Sequence, residues 1–272
     1  MTWLGIVLLI LVLLAVLYVA LACPHLPRRP VNKLAGWDYA HRGLWNAERP
    51  ENSLAAFKAA VDAGYGMELD LHLTTDNVLV VFHDDTLDRM CGVSGRPENC
   101  SLAELRKLRL KGTEHGIPTF DEVLEVVDGK APMIVELKAD KRLDELCSHA
   151  RARLQAYDGP YCIESFHPLA VRWFRKNAPE VIRGQLAYGL HLHQKGKKIH
   201  MLDVFIASLI GNALGRPDFI AYDEASDQNL PMGLMRLLRP TLVAWTVRSP
   251  ERMKQLRKTY DLQIFEGFLP KD

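Results

Sequence analysis

Residues 41–92 read HRGLWNAERPENSLAAFKAAVDAGYGMELDLHLTTDNVLVVFHDDTLDRMCG. Two β-rich runs stand here, Gly66–Leu73 and Val78–His83, each bounded by turn residues. Before them, Ser53–Ala63 has a helical pattern that opens on a Ser cap and stops at Gly64. Working outward in both directions, the alternation continues. Further strands are expected at Trp37–His41, Met133–Glu136, Tyr161–Ser165, Ile182–Leu186, Phe219–Ala221, Leu242–Val247 and Leu262–Phe265. Helical patterns separate most of them: Ser101–Leu108 with its SLAE capping box, Thr119–Val127, Leu143–Gln155, Pro168–Asn177, Pro231–Leu238 and Pro250–Tyr260. Repeated βα units imply a parallel sheet with helices outside it. About eight such units are the size of a (β/α)8 TIM barrel. A doubly wound open sheet is the alternative that strand counting leaves open.

Composition bounds the function. The 272 residues carry 34 Lys+Arg against 33 Asp+Glu, a net charge of +1, and 48% are hydrophobic. These values exclude a wholly disordered chain, a collagen and a small disulfide scaffold. The balanced charge argues against a nucleic-acid partner.

Residues 1–22 hold no charged side chain, and Trp3–Cys23 reads WLGIVLLILVLLAVLYVALAC. Roughly 20 apolar residues in a helix span the hydrocarbon core of a bilayer, so one N-terminal transmembrane helix is expected. A buried helix, a cleaved signal peptide and a lipoprotein site at Cys23 are the rivals. Arg28, Arg29 and Lys33 follow the apolar run with no acidic residue before Asp38, which places the globular part on the cytoplasmic side of a single-pass membrane protein. Pro24, Pro27 and Pro30 make the connecting stretch extended. The resulting organisation is an anchor at 1–23, a tether at 24–36 and a barrel at 37–272. The five cysteines are odd in number and lack a CxxC pair, as suits a reducing compartment; a Cys91–Cys100 pairing would be open to the chain only outside it.

The polar residues gather at strand ends. His41 and Arg42 close the first strand, and His83 closes VLVVFH. Glu68 and Asp70, two apart on one strand, share a face, and Glu136 and Lys138 repeat that spacing on a later strand. Inside a barrel, paired carboxylates repel unless a cation lies among them, and an all-oxygen set suits Mg²⁺ or Ca²⁺. A barrel collects the carboxyl ends of its strands at one mouth, where these seven residues would meet. Three carboxylates, two imidazoles and two cations suit a phosphate diester. Taken singly, each residue also has a plain structural reading, as a core histidine, a buried ion pair or a solvated strand edge. His72, His115, His149 and His167 are read as structural or supporting. The segment 187–217 breaks the pattern. It contains His191, His193, Lys195, Lys197, Lys198 and His200, and then the apolar run MLDVFIASLIGNALG, either a barrel helix or a helix lying on the membrane.

The stretch 41–92 closely resembles the glycerophosphodiester phosphodiesterase family. The resemblance rests on His41-Arg42-Gly43, Pro50-Glu51-Asn52-Ser53, Glu68-Leu69-Asp70 and His83-Asp84, with the later segments Ile117-Pro118-Thr119, Glu136-Leu137-Lys138, Ser165-Phe166 and Trp245-Thr246-Val247. It implies a barrel fold and metal-dependent hydrolysis of a glycerophosphodiester to glycerol 3-phosphate and an alcohol. It implies His41 and His83 as the acid–base pair, and Glu68, Asp70 and Glu136 as ligands of the divalent metal. Arg42 and Lys138 would hold the phosphate. Glu51 and Asn52 would orient His41 or the glycerol hydroxyls, and Phe166 and Trp245 would form an apolar wall. The chain departs from the family near its end, where LQIFEGFLP replaces a DGIITD-like strand and Glu266 stands in for the acidic residue. A lysophospholipid substrate is the alternative within the same chemistry, favoured by the anchor and the apolar 201–214 stretch. An inactive membrane-bound binding module is the alternative of another class.

Overall fold

The computed structural model describes residues 2–190 and 199–270. Nine strands are present among these residues. They are β1 Asp38–Ala40, β2 Gly66–Leu73, β3 Leu79–Val81, β4 Met133–Leu137, β5 Tyr161–Ser165, β6 Arg183–Ala187, β7 Phe219–Asp223, β8 Thr241–Val247 and β9 Leu262–Phe265. All but β3 pair in parallel, and β1 closes the ring by pairing with β2 (Tyr39 beside Gly66) and with β9 (Tyr39 beside Ile264). The sheet is therefore an eight-stranded TIM barrel, and the open-sheet alternative is excluded. β9 forms despite its unusual sequence.

One strand corrects the expected pattern. Val78–His83 does not enter the barrel; its β3 portion folds back antiparallel on β2, with Leu71 beside Val81. A run this soon after β2 has no crossover helix before it, so it can return only as a hairpin. His83 thus reaches the mouth on the arm after β3.

Side-chain alternation sorts the barrel into two cores. Met67, Leu69 and Leu71 of β2 point outward against Phe57 of α2 (Leu54–Asp62) and Phe120, in the main hydrophobic cluster. Tyr39, Ile134, Cys162, Phe219, Val243 and Ile264 fill the interior as a second apolar cluster. The carboxylates of β2, β4 and β5 lie above this floor, toward the C-terminal ends of the strands. All five cysteines are free, Cys91 and Cys100 included.

The N-terminal helix α1, Trp3–Ala22, exposes nearly all its apolar side chains and docks on the barrel only near its end. Asn212 Nδ2 donates to Ala22 O at 2.8 Å, and Arg216 Nη1 donates to Ala20 O and Cys23 O. A cationic donor at these last carbonyls satisfies both hydrogen bonding and the helix dipole. The apolar run 201–215 forms two helices, Met201–Ser208 and Asn212–Gly215, separated at Leu209, which has a left-handed backbone. Ile206 and Ala207 face the barrel, whereas Met201, Leu202, Val204 and Phe205 are exposed. Residues 191–198, with His191, His193, Lys195, Lys197 and Lys198, lie outside the described residues.

Candidate active site

The turn after β1 sets the first part of the site. Arg42 and Gly43 both have positive φ, 58° and 83°. This sharp reversal aims the Arg42 backbone N–H at Glu68 Oε2, 3.0 Å away. Gly43 is required twice over, because a Cβ there would lie 2.9 Å from the Ala56 carbonyl carbon of α2. Asn52, also at positive φ, donates its N–H to the Arg42 carbonyl and its Nδ2 to Asp70 Oδ2 at 2.8 Å. The HRG and PENS segments thus form one turn stapled to β2.

The carboxylates come from three adjacent strands. Asp70 lies beside Glu136 in the β2–β4 register, and Glu136 lies beside Glu164 in the β4–β5 register. Oxygen atoms of Glu68, Asp70 and Glu136 all fall within 4.8 Å of one another, and all three residues are buried. Lys138 Nζ reaches in from above, 2.9 Å from Asp70 Oδ1 and 2.7 Å from Glu136 Oε1. Burial pushes the Glu68 carboxyl well above its usual range, and repulsion from Asp70 and Glu136 adds to this. Burial raises Glu136 too, with Lys138 opposing. Asp70 goes the other way: burial would raise it, but Lys138, His83 and Arg42 together hold it well below the carboxylate range. The cluster carries more negative charge than its cations offset. That excess, on a preformed all-oxygen donor set, fits a hard divalent cation.

Both sequence-predicted histidines lie at the mouth, each held through Nδ1 by a carboxylate. His41 Nδ1 is 2.5 Å from Glu266 Oε2, which leaves Nε2 on the cluster side, 3.9 Å from Glu68 Oε2. Burial lowers the His41 pKa, and the Glu266 contact partly opposes this. His83 Nδ1 is 2.8 Å from Asp84 Oδ1. Arg89 spans Asp84 and Glu51, with contacts of 2.6–2.8 Å to both. Glu51 also accepts from Arg42 Nη1 at 2.6 Å. Glu51 and Asn52 are thus partners of Arg42 and Asp70, and the support of His41 comes from Glu266 instead. His72 is fully buried and pairs with Glu98 at 2.6 Å, away from the mouth.

Phe166 and Trp245 meet edge to face, with ring centroids 5.5 Å apart, and Tyr188 continues the aromatic surface 5.6 Å from Phe166. Three residues here carry no reading from the sequence, Glu164, Arg89 and Tyr188, and Asp84 stands there only as part of the His83-Asp84 motif. An acid in the middle of the buried run YCIES was the available signal for Glu164. Asp84 and Arg89 stood within the quoted HDDTLDR, but their pairing with Glu51 needs the fold.

A model of the glycerophosphoryl diester phosphodiesterase family matches residues 41–260. The chain belongs to this family. Among relatives in it, a glycerophosphodiester phosphodiesterase of Caldanaerobacter subterraneus subsp. tengcongensis is 34% identical over 160 residues, 54% of this chain and 65% of that protein. A lysophospholipase D of Rattus norvegicus is 33% identical over 117 residues, 38% of this chain and 37% of that protein. The chain spans less than two thirds of the length of the first curated relatives it matches. The barrel of this family member superposes on a phosphodiesterase of Oleispira antarctica, solved with the product sn-glycerol-3-phosphate, at a TM-score of 0.71. Sequence identity there is 22%, over 87% of this chain and 95% of that one. At that identity the likeness concerns the fold.

Proposed function

We propose that this chain is a membrane-anchored, metal-dependent phosphodiesterase that hydrolyses glycerophosphodiesters to glycerol 3-phosphate and an alcohol. The observation that carries the proposal is the pair of histidines, each oriented on a carboxylate, flanking a buried triad of acidic residues. Family membership supports the same reading. The product bound to the Oleispira antarctica phosphodiesterase supports the glycerol phosphate half of the substrate.

In this mechanism Glu68, Asp70 and Glu136 hold the cation. A bound Mg²⁺ or Ca²⁺ would supply positive charge that stabilises the charge building on the phosphoryl oxygens. Lys138 and Arg42 bring ammonium and guanidinium donors, respectively, to the same oxygens. Burial favours the neutral form of His41, as suits the base that takes a proton at Nε2 from the attacking water while the water oxygen bonds to phosphorus. Glu266 stabilises the imidazolium that results. His83 is paired with Asp84 and more open to solvent; it gives a proton to the departing alcohol oxygen as the P–O bond breaks. Phe166, Tyr188 and Trp245 wall the apolar side of the glycerol or its neighbour.

The helix α1 serves as the anchor, residues 24–36 as the tether and 37–272 as the catalytic domain, facing the cytoplasm. At about 1.5 Å per residue the helix is about 30 Å long, enough to cross the hydrocarbon core.

A lysophospholipid is the second substrate reading. The exposed Met201, Leu202, Val204 and Phe205, on the segment that follows β6, favour it, since they offer an apolar path beside the mouth. The deciding assay measures glycerol 3-phosphate release from glycerophosphocholine, and lysophosphatidic acid release from lysophosphatidylcholine, with Mg²⁺, Ca²⁺ or EDTA. Glycerol 3-phosphate formation that needs metal and is lost in His41→Ala supports the first reading. Product from the lipid alone moves the assignment to the second. No turnover by a folded, metal-binding protein overturns both.

A further inference from the structure

On the opposite end of the barrel from the catalytic mouth, a cleft of about 890 Å³ opens where α1 meets the domain. Four guanidinium groups line it, from Arg29, Arg175, Arg183 and Arg216, together with His25. The acidic group that faces them is Asp218. It takes Arg29 at 3.2 Å, Arg183 at 3.5 Å and His25 at 3.6 Å. One carboxylate therefore faces three cationic or protonatable groups. Backbone carbonyls take part of the donor capacity of the others: Arg175 Nη1 donates to Leu214 O, Arg216 Nη1 to Ala20 O and Cys23 O, and Arg29 to Pro179 O and Glu180 O, none of which neutralises their charge. The local charge is strongly positive in a chain whose overall charge is +1.

Arg183 is the telling member. It is only 3% exposed and lines the cleft, and its Nη1 makes no hydrogen bond but sits 3.5 Å from Asp218 Oδ2, an ion pair that Asp218 shares with Arg29. A buried guanidinium whose only carboxylate is shared with two other groups and lies beyond good hydrogen-bond distance gains from an anion that brings further acceptors. Burial depresses the Arg183 pKa; Asp218 opposes this, and the like charges of Arg29 and Arg175 add to the lowering.

The remaining wall is not polar. Ala20, Cys23 and Leu26 come from the last turn of α1 and the residues after it. If α1 spans the bilayer, that turn lies at the level of the lipid headgroups. We infer that this cleft binds the headgroup of an anionic phospholipid, with its phosphate on Arg29, Arg175 and Arg183 and its acyl chains along α1. Guanidinium forks match phosphate oxygens two at a time, and the cytoplasmic leaflet supplies the negative charge. A free phosphate would satisfy the arginines equally but would gain nothing from the apolar wall. The inference rests on the anchored reading and adds to it a fixed tilt of the barrel on the membrane.

The test uses the full-length protein in phosphatidylcholine nanodiscs, with and without phosphatidylglycerol, and native mass spectrometry of the lipids retained on release. The expected result is selective retention of phosphatidylglycerol. Retention should fall about tenfold in Arg175→Gln, the loss of one charge-assisted contact, and recover in part in Arg175→Lys. A thermal melt matching wild type shows that the variant is folded, and Arg29→Gln serves as the second variant. Equal retention of both lipids, or unaltered selectivity in both folded variants, overturns the inference while leaving the anchor intact. Displacement of phosphatidylglycerol by millimolar inorganic phosphate overturns the lipid as the ligand. Failure of the chain to float with vesicles of either composition after a high-salt wash overturns the anchor and the lipid site together.

Discussion

His41 Nδ1 and Glu266 Oε2 lie 2.5 Å apart across the seam where β1 pairs with β9, at positions 225 residues apart in the chain. Barrel closure is what brings them together. The Glu266 carboxylate favours the protonated imidazole and partly cancels the lowering that burial imposes on His41. Glu266→Gln is therefore expected to move the acid limb of the kcat/KM profile to lower pH, because the base then loses its proton more readily. The same variant should lose about tenfold in kcat, from one charge-assisted hydrogen bond, against about 10²–10⁴-fold for His41→Ala. An acid limb that stays in place would remove Glu266 from the assignment.

Arg89 gives a pH-dependent stability. Burial alone would raise the Glu51 carboxyl, but hydrogen bonds from Arg89 and the charge of Arg42 bring it below its ordinary value. Asp84 is likewise opposed by burial and lowered by His83 and Arg89. A depressed folded-state pKa contributes stability that is complete above the unfolded value, about 4, and is lost as pH falls toward the folded one. Arg89→Ala should cost about 1 kcal/mol near pH 7, a small figure because Arg89 is 41% exposed. The difference in Tm from wild type should narrow steadily below about pH 4. A gap that widens on acidification would refute the ion-pair account.

What could be read from the sequence was local. A two-residue spacing puts Glu68 and Asp70 on one face whatever the fold, and strand–helix alternation places Glu136 and Lys138 at an equivalent height. Pairings made by closure were not legible in that way. Glu164 enters the cluster through strand register with Glu136, and Arg89 reaches Glu51 across a loop. β3 looked like a barrel strand because burial on both faces, not alternation, marks it, and a hairpin strand packed under a loop is buried on both faces as well. The contact of α1 with Asn212 and Arg216 has no sequence signal at all, since hydrogen bonds to a helix's last carbonyls can come from any neighbour.

Gly43 tests the turn that carries His41 and Arg42. Its φ of 83° and the 2.9 Å approach to α2 leave no room for a methyl group. Gly43→Ala is expected to destabilise the protein by about 1–3 kcal/mol, from left-handed strain together with displacement of α2. Because Arg42 N–H is held on Glu68, the shift should reach the acidic cluster and lower kcat more than the Tm change explains. Thermal melts and kinetics on one preparation settle this. A variant with wild-type Tm would show that the turn relaxes freely.

Glu164 and Asp70 separate a bystander acid from a ligand. Burial, with repulsion from Glu136 and Asp70, pushes the Glu164 carboxyl well up, and the register of β5 sets it outside the Glu68–Asp70–Glu136 donor set. An amide of the same shape keeps the packing of Glu164 and removes only a charge that burial disfavours. Asp70 is ionised, held down by Lys138, His83 and Arg42 against the effect of burial, so its amide removes a charge the cation needs. Adding Mg²⁺ or Ca²⁺ to wild type should raise Tm, by the equivalent of about 2.7 kcal/mol at a hundredfold excess over Kd. Glu164→Gln should keep that response and activity within a few-fold. Asp70→Asn should lose both, and EDTA should bring wild type to the same state. If Glu164→Gln abolished the metal-induced rise in Tm as completely as Asp70→Asn, Glu164 would be a fourth ligand and the three-carboxylate site would be wrong.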